Sequence, residues 1–68
     1  MKSISGKKLC KLIEKYGWKL ARVKGSHHIY SKDNIATILI IPVHGNRDLP
    51  TGTLKAILKD AGLTENDI

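Results

Sequence analysis

The fold is decided by residues 18–42, which read WKLARVKGSHHIYSKDNIATILIIP. Two polar turns, Gly25-Ser26 and Asp33-Asn34, divide this stretch into three short segments rich in bulky and β-branched side chains. Short segments joined by tight turns pair as antiparallel strands. The predicted strands cover residues 18–24, 27–32 and 35–41, and Pro42 ends the third.

Two adjacent histidines open the second predicted strand, and the alternation of side chains along a strand puts them on opposite faces. His27 and Ile29 share one face, whereas His28 and Tyr30 share the other. Ile29 favours the His27 face as the one that helices cover, although the first residue of a strand can stay exposed beyond the packed helices. The third strand is apolar on both faces, so we expect it to be central or covered.

An amphipathic helix is predicted before the strands. It runs from Gly6 to about Tyr16 after a cap at Ser3 or Ser5, and Gly17 ends it. Its apolar stripe is Leu9, Leu12, Ile13 and Tyr16, with Cys10 beside it as a core residue, and another face carries Lys8, Lys11 and Lys15.

A second helix follows a polar loop over residues 43–49. Thr51 is its predicted N-cap and Gly62 ends it, and residues 64–67 predict a short capped turn. The buried stripe is Leu54, Ile57, Leu58 and Ala61. The element order predicts one α+β domain over residues 1–68, in which two helices cover one face of a three-stranded antiparallel sheet.

Positive charge is concentrated in the first half of the chain. Residues 1–32 hold nine lysine or arginine side chains against one acidic side chain, a balance of +8, whereas residues 33–68 hold three against five, a balance of −2. The two balances give the net charge of +6. Nucleic acid is the partner that such a basic half favours, and an anionic membrane surface is the weaker alternative.

Cysteine content and hydropathy favour a cytoplasmic protein. Cys10 is the single cysteine, which excludes an internal disulfide and suits a reducing compartment. The N-terminus lacks the apolar run of a signal peptide. The longest apolar run, residues 38–41, is far too short to span a bilayer. We therefore expect a soluble protein of the cytoplasm.

The residue inventory narrows the chemistry that the chain can perform. His27, His28 and His44 have no accompanying carboxylate or second cysteine in ligand spacing, so neither a metal nor another cofactor is predicted. Ser26 lacks the orienting acid of a serine nucleophile, and the glycines do not form a phosphate-binding loop. Two interpretations of the histidines remain. One is metal-free RNA cleavage with a histidine as the general base, and the other is a surface histidine without a catalytic role.

Motifs along the chain resemble a known family. They are Ser5-Gly6-Lys7, Gly17-Trp18, Lys24-Gly25-Ser26-His27, Ile41-Pro42-Val43-His44, the run of residues 49–54, Ile57-Leu58-Lys59 and Ala61-Gly62-Leu63. In order and spacing they resemble the HicA family, the ribonuclease toxins of HicBA toxin–antitoxin modules. The resemblance implies a fold like that of double-stranded-RNA-binding domains, in the order α-β-β-β-α. It also implies an mRNA endoribonuclease that a HicB antitoxin neutralises by masking the catalytic histidine.

The resemblance also implies site residues. The family histidine follows Gly-Ser, which makes His27 the expected general base and leaves its neighbour His28 as the runner-up. Phosphate contacts are expected from Arg22, Lys24, Gly25 and Ser26, and contacts along the RNA backbone from Lys8, Lys11 and Lys15.

Roles for three further side chains stay open. Tyr30 and His28 would orient the base or donate a proton, with core packing an equal alternative for Tyr30. A structural or solvent-exposed role is expected for His44. For the whole chain, the alternative is a non-catalytic RNA-binding module of the same fold, and a plain protein-interaction domain is a third.

Overall fold

The sheet and helices follow the predicted order. The structure is a computed structural model that describes residues 3–68. The helices are α1 (Gly6–Lys15) and α2 (Thr51–Ala61), the strands are β1 (Lys19–Lys24), β2 (His27–Lys32) and β3 (Ile35–Pro42), and a 3-10 turn covers Glu65–Asp67. The three strands pair antiparallel. The α+β prediction and its α-β-β-β-α order are therefore confirmed.

Local chemistry explains where the first helix begins and ends. The Ser5 hydroxyl accepts a hydrogen bond from the Lys8 amide at 3.2 Å, so Ser5, one of the two predicted caps, begins α1. Tyr16 is the C-cap, and Gly17 follows it at a φ of 94°, a left-handed conformation that favours glycine.

The second helix departs from the prediction at its start. Pro50 is the N-cap and makes no side-chain hydrogen bond, and Thr51 is already helical. The predicted Thr51 cap was wrong because the extended backbone required of an N-cap falls on Pro50, one residue earlier. The end is as predicted, since Gly62 stops α2 at a φ of 74°. The turn beyond it has the expected cap, with Thr64 and Asp67 bonded reciprocally.

The strand order is β1-β2-β3, so β2 is central and β3 lies at an edge. The third strand was expected to be central or covered; it is not central, and the helices cover only the face that carries Leu39 and Ile41. Its apolar face away from the helices is open, and Ile38 and Ile40 there are 51% and 49% exposed. A run that is apolar on both faces therefore did not indicate burial on both faces.

The helices cover the face that carries Tyr30. Tyr30 pairs with Leu39 across β2 and β3, and the two side chains are 2% and 1% exposed. Ile29 pairs with Ile40 on the opposite, open face. The expectation that helices cover the His27 and Ile29 face was therefore wrong. Ile29 is nonetheless 8% exposed, because a residue of the central strand is shielded by its neighbours on both flanking strands.

One apolar core lies between the helices and the sheet. The core residues are Leu9, Cys10, Ile13, Trp18, Tyr30, Leu39, Ile41, Leu49, Leu54, Ile57 and Leu58. Both helices pack against β3. The start of α1 lies so close to the end of β3 that a Cβ on Gly6 would collide with the carbonyl oxygen of Pro42. Gly6 therefore fixes the N-terminal end of α1 at the Pro42 end of the sheet.

Candidate active site

The first residue of the central strand, His27, is exposed on the open face of the sheet. It follows the turn at Gly25, whose φ of 59° favours glycine. In the sheet it pairs with Lys24 of β1 on one side and with Pro42 of β3 on the other. The Val43 amide also donates a hydrogen bond to the Ser26 carbonyl oxygen at 2.7 Å. The backbone around the imidazole is therefore held from both flanking strands.

The neighbouring histidine points to the other face. His28 pairs with Val23 and with Ile41, and Ile41 is fully buried beneath the helices. His28 itself is half-buried. The two imidazoles therefore lie on opposite sides of one sheet and do not form a catalytic pair.

Tyr30 is a core residue on the His28 face. Its hydroxyl donates a hydrogen bond to the Glu14 carboxylate of α1 at 2.6 Å. Burial, and then this bond to Glu14, raises the pKa of the Tyr30 phenol well above its usual value. The phenol thus stays protonated and is already engaged across the core. Of its expected alternatives, core packing is the one that this geometry supports.

Replacing Tyr30 by phenylalanine should lower the free energy of unfolding by about 1–2 kcal/mol, because a hydrogen bond to a carboxylate is lost. The loss is limited because water can then solvate the Glu14 carboxylate. Urea denaturation would measure the change. Tyr16→Phe is a matched control, because its hydroxyl lies 3.5 Å from Asp67 on the surface and should contribute little. Equal free energies of unfolding for Tyr30→Phe and the wild type would contradict a stabilising hydrogen bond between Tyr30 and Glu14.

Two cations of β1 share the open face with His27. Lys24 pairs directly with His27, and Arg22 pairs with Ile29, the next residue of β2 on that face. Both are exposed, and within residues 3–68 neither forms an ion pair. A Cβ added at Gly25 would meet nothing within 4 Å, so the backbone at Gly25 is open to a ligand, whereas Ser26 is half-buried. Together these residues can hold an anion next to the imidazole.

The lysines of α1 divide into two groups. Lys8 and Lys11, together with Lys7, line a cleft of about 370 Å³ near the start of the helix. This is the end that Gly6 holds against Pro42, the sheet partner of His27. Lys15 lies in the last turn, about 10 Å beyond Lys8 and about 6 Å beyond Lys11 along the helix axis at about 1.5 Å per residue. Lys8 and Lys11 therefore share the cleft, and Lys15 lies outside it.

Cys10 and His44 are the remaining side chains of a type that can take part in catalysis. Cys10 is 6% exposed, and burial raises the pKa of its thiol, which disfavours the reactive thiolate, as expected for a core residue. His44 is exposed in the loop after β3. It lines a second cleft, of about 240 Å³, with Pro42 and Arg47 among its walls. Sequence reasoning did not place Arg47 beside His44; the two are three residues apart in a short polar loop, and they line this cleft together.

Neither a metal-binding cluster nor a membrane-spanning helix occurs in the described part of the chain. Among residues 3–68, no three histidine, cysteine, aspartate or glutamate side chains cluster as they would around a metal ion. In the same part of the chain, neither helix has the length and apolar character needed to cross a membrane.

Comparison with known proteins identifies the family. Residues 6–63 match the family described as the HicA toxin of bacterial toxin-antitoxin. Among curated proteins no match was found. The matched region begins at the first residue of α1 and ends just beyond α2, so it contains both α-helices and all three strands. With most of its length inside this match, the chain belongs to the HicA toxin family of bacterial toxin–antitoxin systems.

Proposed function

We propose that this toxin is a metal-independent endoribonuclease that cleaves mRNA in the cytoplasm, with His27 as the general base. The observation that carries the proposal is the exposed imidazole of His27 at the start of the central strand, with Lys24 directly across from it. An imidazole titrates near neutral pH, so its neutral form can accept a proton there. His28, on the face that the helices cover, is set aside as the base.

The reaction follows from the groups around His27. Neutral His27 takes the proton of a ribose 2′-hydroxyl, and the oxygen attacks the adjacent phosphorus. The new bond joins the 2′-oxygen to phosphorus, and the bond from phosphorus to the 5′-oxygen breaks. The products are a 2′,3′-cyclic phosphate and a 5′-hydroxyl. DNA lacks the 2′-hydroxyl and would not be cleaved by this route.

Neighbouring cations have two separate tasks in this proposal. Lys24 and Arg22 stabilise the negative charge that develops on the phosphate oxygens, with the open backbone at Gly25 allowing close approach and the half-buried Ser26 next to it as a further phosphate contact. Lys8 and Lys11 hold the RNA backbone further along, without reading sequence. Lys15, which lies outside that cleft and one helical turn beyond Lys11, would contribute only to the positive electrostatic field of the protein.

A toxin–antitoxin family implies an antitoxin partner for this chain. We propose that the partner is of the HicB type and that it neutralises the toxin by covering His27. Ile38 and Ile40 are half exposed on the same face of the sheet as His27. Large apolar side chains exposed together are typical of protein-binding surfaces. A partner that buries them would also exclude RNA from the imidazole.

The test is incubation of the purified protein with RNA in EDTA, followed by analysis of the new ends. We expect cleavage, with 2′,3′-cyclic phosphate and 5′-hydroxyl termini, and no cleavage of DNA of the same sequence. Binding of RNA that weakens with salt, without any cleavage, would instead support the alternative, a non-catalytic RNA-binding module. Neither binding nor cleavage at moderate salt would support a plain protein-interaction domain.

A further inference from the structure

Cleavage by His27 leaves one proton transfer unassigned. When the bond from phosphorus to the 5′-oxygen breaks, the departing alkoxide needs a proton, and a general acid that titrates near the working pH supplies it best. His27 is occupied with the 2′-hydroxyl. Tyr30 and His28, the two donors considered from sequence, lie on the other face of the sheet, and the Tyr30 hydroxyl is already bonded to Glu14.

His44 is the remaining imidazole, and the sheet brings it towards His27. Pro42 pairs with His27, and the Val43 amide is hydrogen bonded to the Ser26 carbonyl oxygen at 2.7 Å. His44 is the next residue. Paired residues lie about 5 Å apart and two residues span at most about 8 Å, so the Cα atoms of His27 and His44 are within about 13 Å. Two imidazoles on such backbones can reach the two sides of one phosphodiester.

The surroundings of His44 suit a group that meets RNA. It is exposed and lines the cleft that also contains Pro42 and Arg47. The Arg47 amide donates a hydrogen bond to the His44 carbonyl oxygen at 3.1 Å, which closes a turn through Gly45 at a φ of 59°. The charged side chains lining this cleft are Arg47 and Asp48. The turn therefore holds an imidazole and a guanidinium next to the partner residue of His27.

We infer that His44 is the general acid of the reaction and donates its proton to the departing 5′-oxygen. The inference rests on the proposed ribonuclease function. In the forward step, neutral His27 gains the 2′-hydroxyl proton while imidazolium His44 loses one to the 5′-oxygen. One bond to phosphorus forms and one breaks, so no metal or other reactant is required. Arg47, which lines the same cleft as His44, would hold a non-bridging phosphate oxygen in this reaction.

The experiment compares two RNA substrates of one sequence. The second carries sulfur in place of the bridging 5′-oxygen at the cleavage site. A thiolate leaves without a proton, because thiols titrate at about 8.5 and alcohols far higher. His44→Ala should lower cleavage of ordinary RNA by about 10²–10⁴-fold, yet cleave the sulfur substrate within about threefold of wild type. His27→Ala should fail on both substrates.

Further variants and outcomes decide between this role and others. His44→Gln, which keeps a polar side chain in the exposed loop, should behave as His44→Ala does. Asp60→Asn, at an exposed position of α2 outside both clefts, should retain activity. Full activity of the His44 variants on ordinary RNA overturns the assignment. So does a defect that persists on the sulfur substrate, which indicates a structural role. Either result leaves the ribonuclease proposal intact, whereas a wild type inactive on both substrates overturns both proposals.

Discussion

Replacing His27 by alanine is expected to lower RNA cleavage by about 10²–10⁴-fold, the usual contribution of a general base. RNA affinity should change little, because the cations that hold the phosphate remain. The free energy of unfolding should stay within about 0.5 kcal/mol, since the side chain is exposed on the open face. Cleavage in EDTA, RNA binding and urea denaturation of the same preparation would measure all three.

His28→Ala is the control for this experiment. It removes the adjacent imidazole from the covered face, beside Val23 and Ile41, and should retain cleavage. Loss of cleavage in His28→Ala alone would keep the ribonuclease function and move the base by one residue. Intact cleavage in both variants would rule out a histidine base on β2.

Replacing Gly6 by alanine is expected to lower the free energy of unfolding by about 1–3 kcal/mol, the usual cost of overpacking. The new methyl group would collide with backbone, the Pro42 carbonyl oxygen, and backbone cannot yield as a flexible side chain can. The start of α1 would have to move away from the end of β3. Because Pro42 is the sheet partner of His27, cleavage should fall as well.

Gly52→Ala is a matched control in the other helix. A Cβ there meets nothing within 4 Å, and the residue lies in the first turn of α2. This substitution should raise the free energy of unfolding by about 0.4–1 kcal/mol, because alanine loses less backbone freedom on folding. Urea denaturation of the two variants should therefore show changes of opposite sign. A Gly6→Ala variant as stable as the wild type would contradict the close packing.

Much of the fold could be predicted because short turns carry strong local signals. Gly25 and Asn34 mark the two turns between strands, and both adopt positive φ values, 59° and 65°. Gly17 and Gly62 end the helices for the same reason. These conformations depend on the residue itself and its immediate neighbours, so the sequence alone indicates them.

The covered face could not be predicted, because it depends on where the helices pack. Ile29 is apolar and shielded, but its shielding comes from Arg22 and Ile40 on the flanking strands and not from a helix. What settles the face is Tyr30, whose hydroxyl reaches Glu14 of α1. A bond between residues 16 positions apart leaves no periodic signal in the sequence.

The surroundings of the candidate site were only partly predictable. Lys24, Gly25 and Ser26 precede His27 directly, so their proximity follows from the sequence. The approach of His44 depends on the pairing of His27 with Pro42, which is a matter of strand register. Sequence spacing of 17 residues between the two histidines gives no hint of it. Register is set by the whole sheet and appears only in the folded chain.

The central claim is that the ribose 2′-hydroxyl is the nucleophile in a metal-free cleavage that His27 starts. Its most direct test is an RNA with one cleavage site mapped in EDTA, in which the nucleotide 5′ to that site is then replaced by its 2′-deoxy form. The account predicts that cleavage at that position disappears while RNA binding is kept. Cleavage persisting at the 2′-deoxy position would contradict the account, because another nucleophile would then attack the phosphorus.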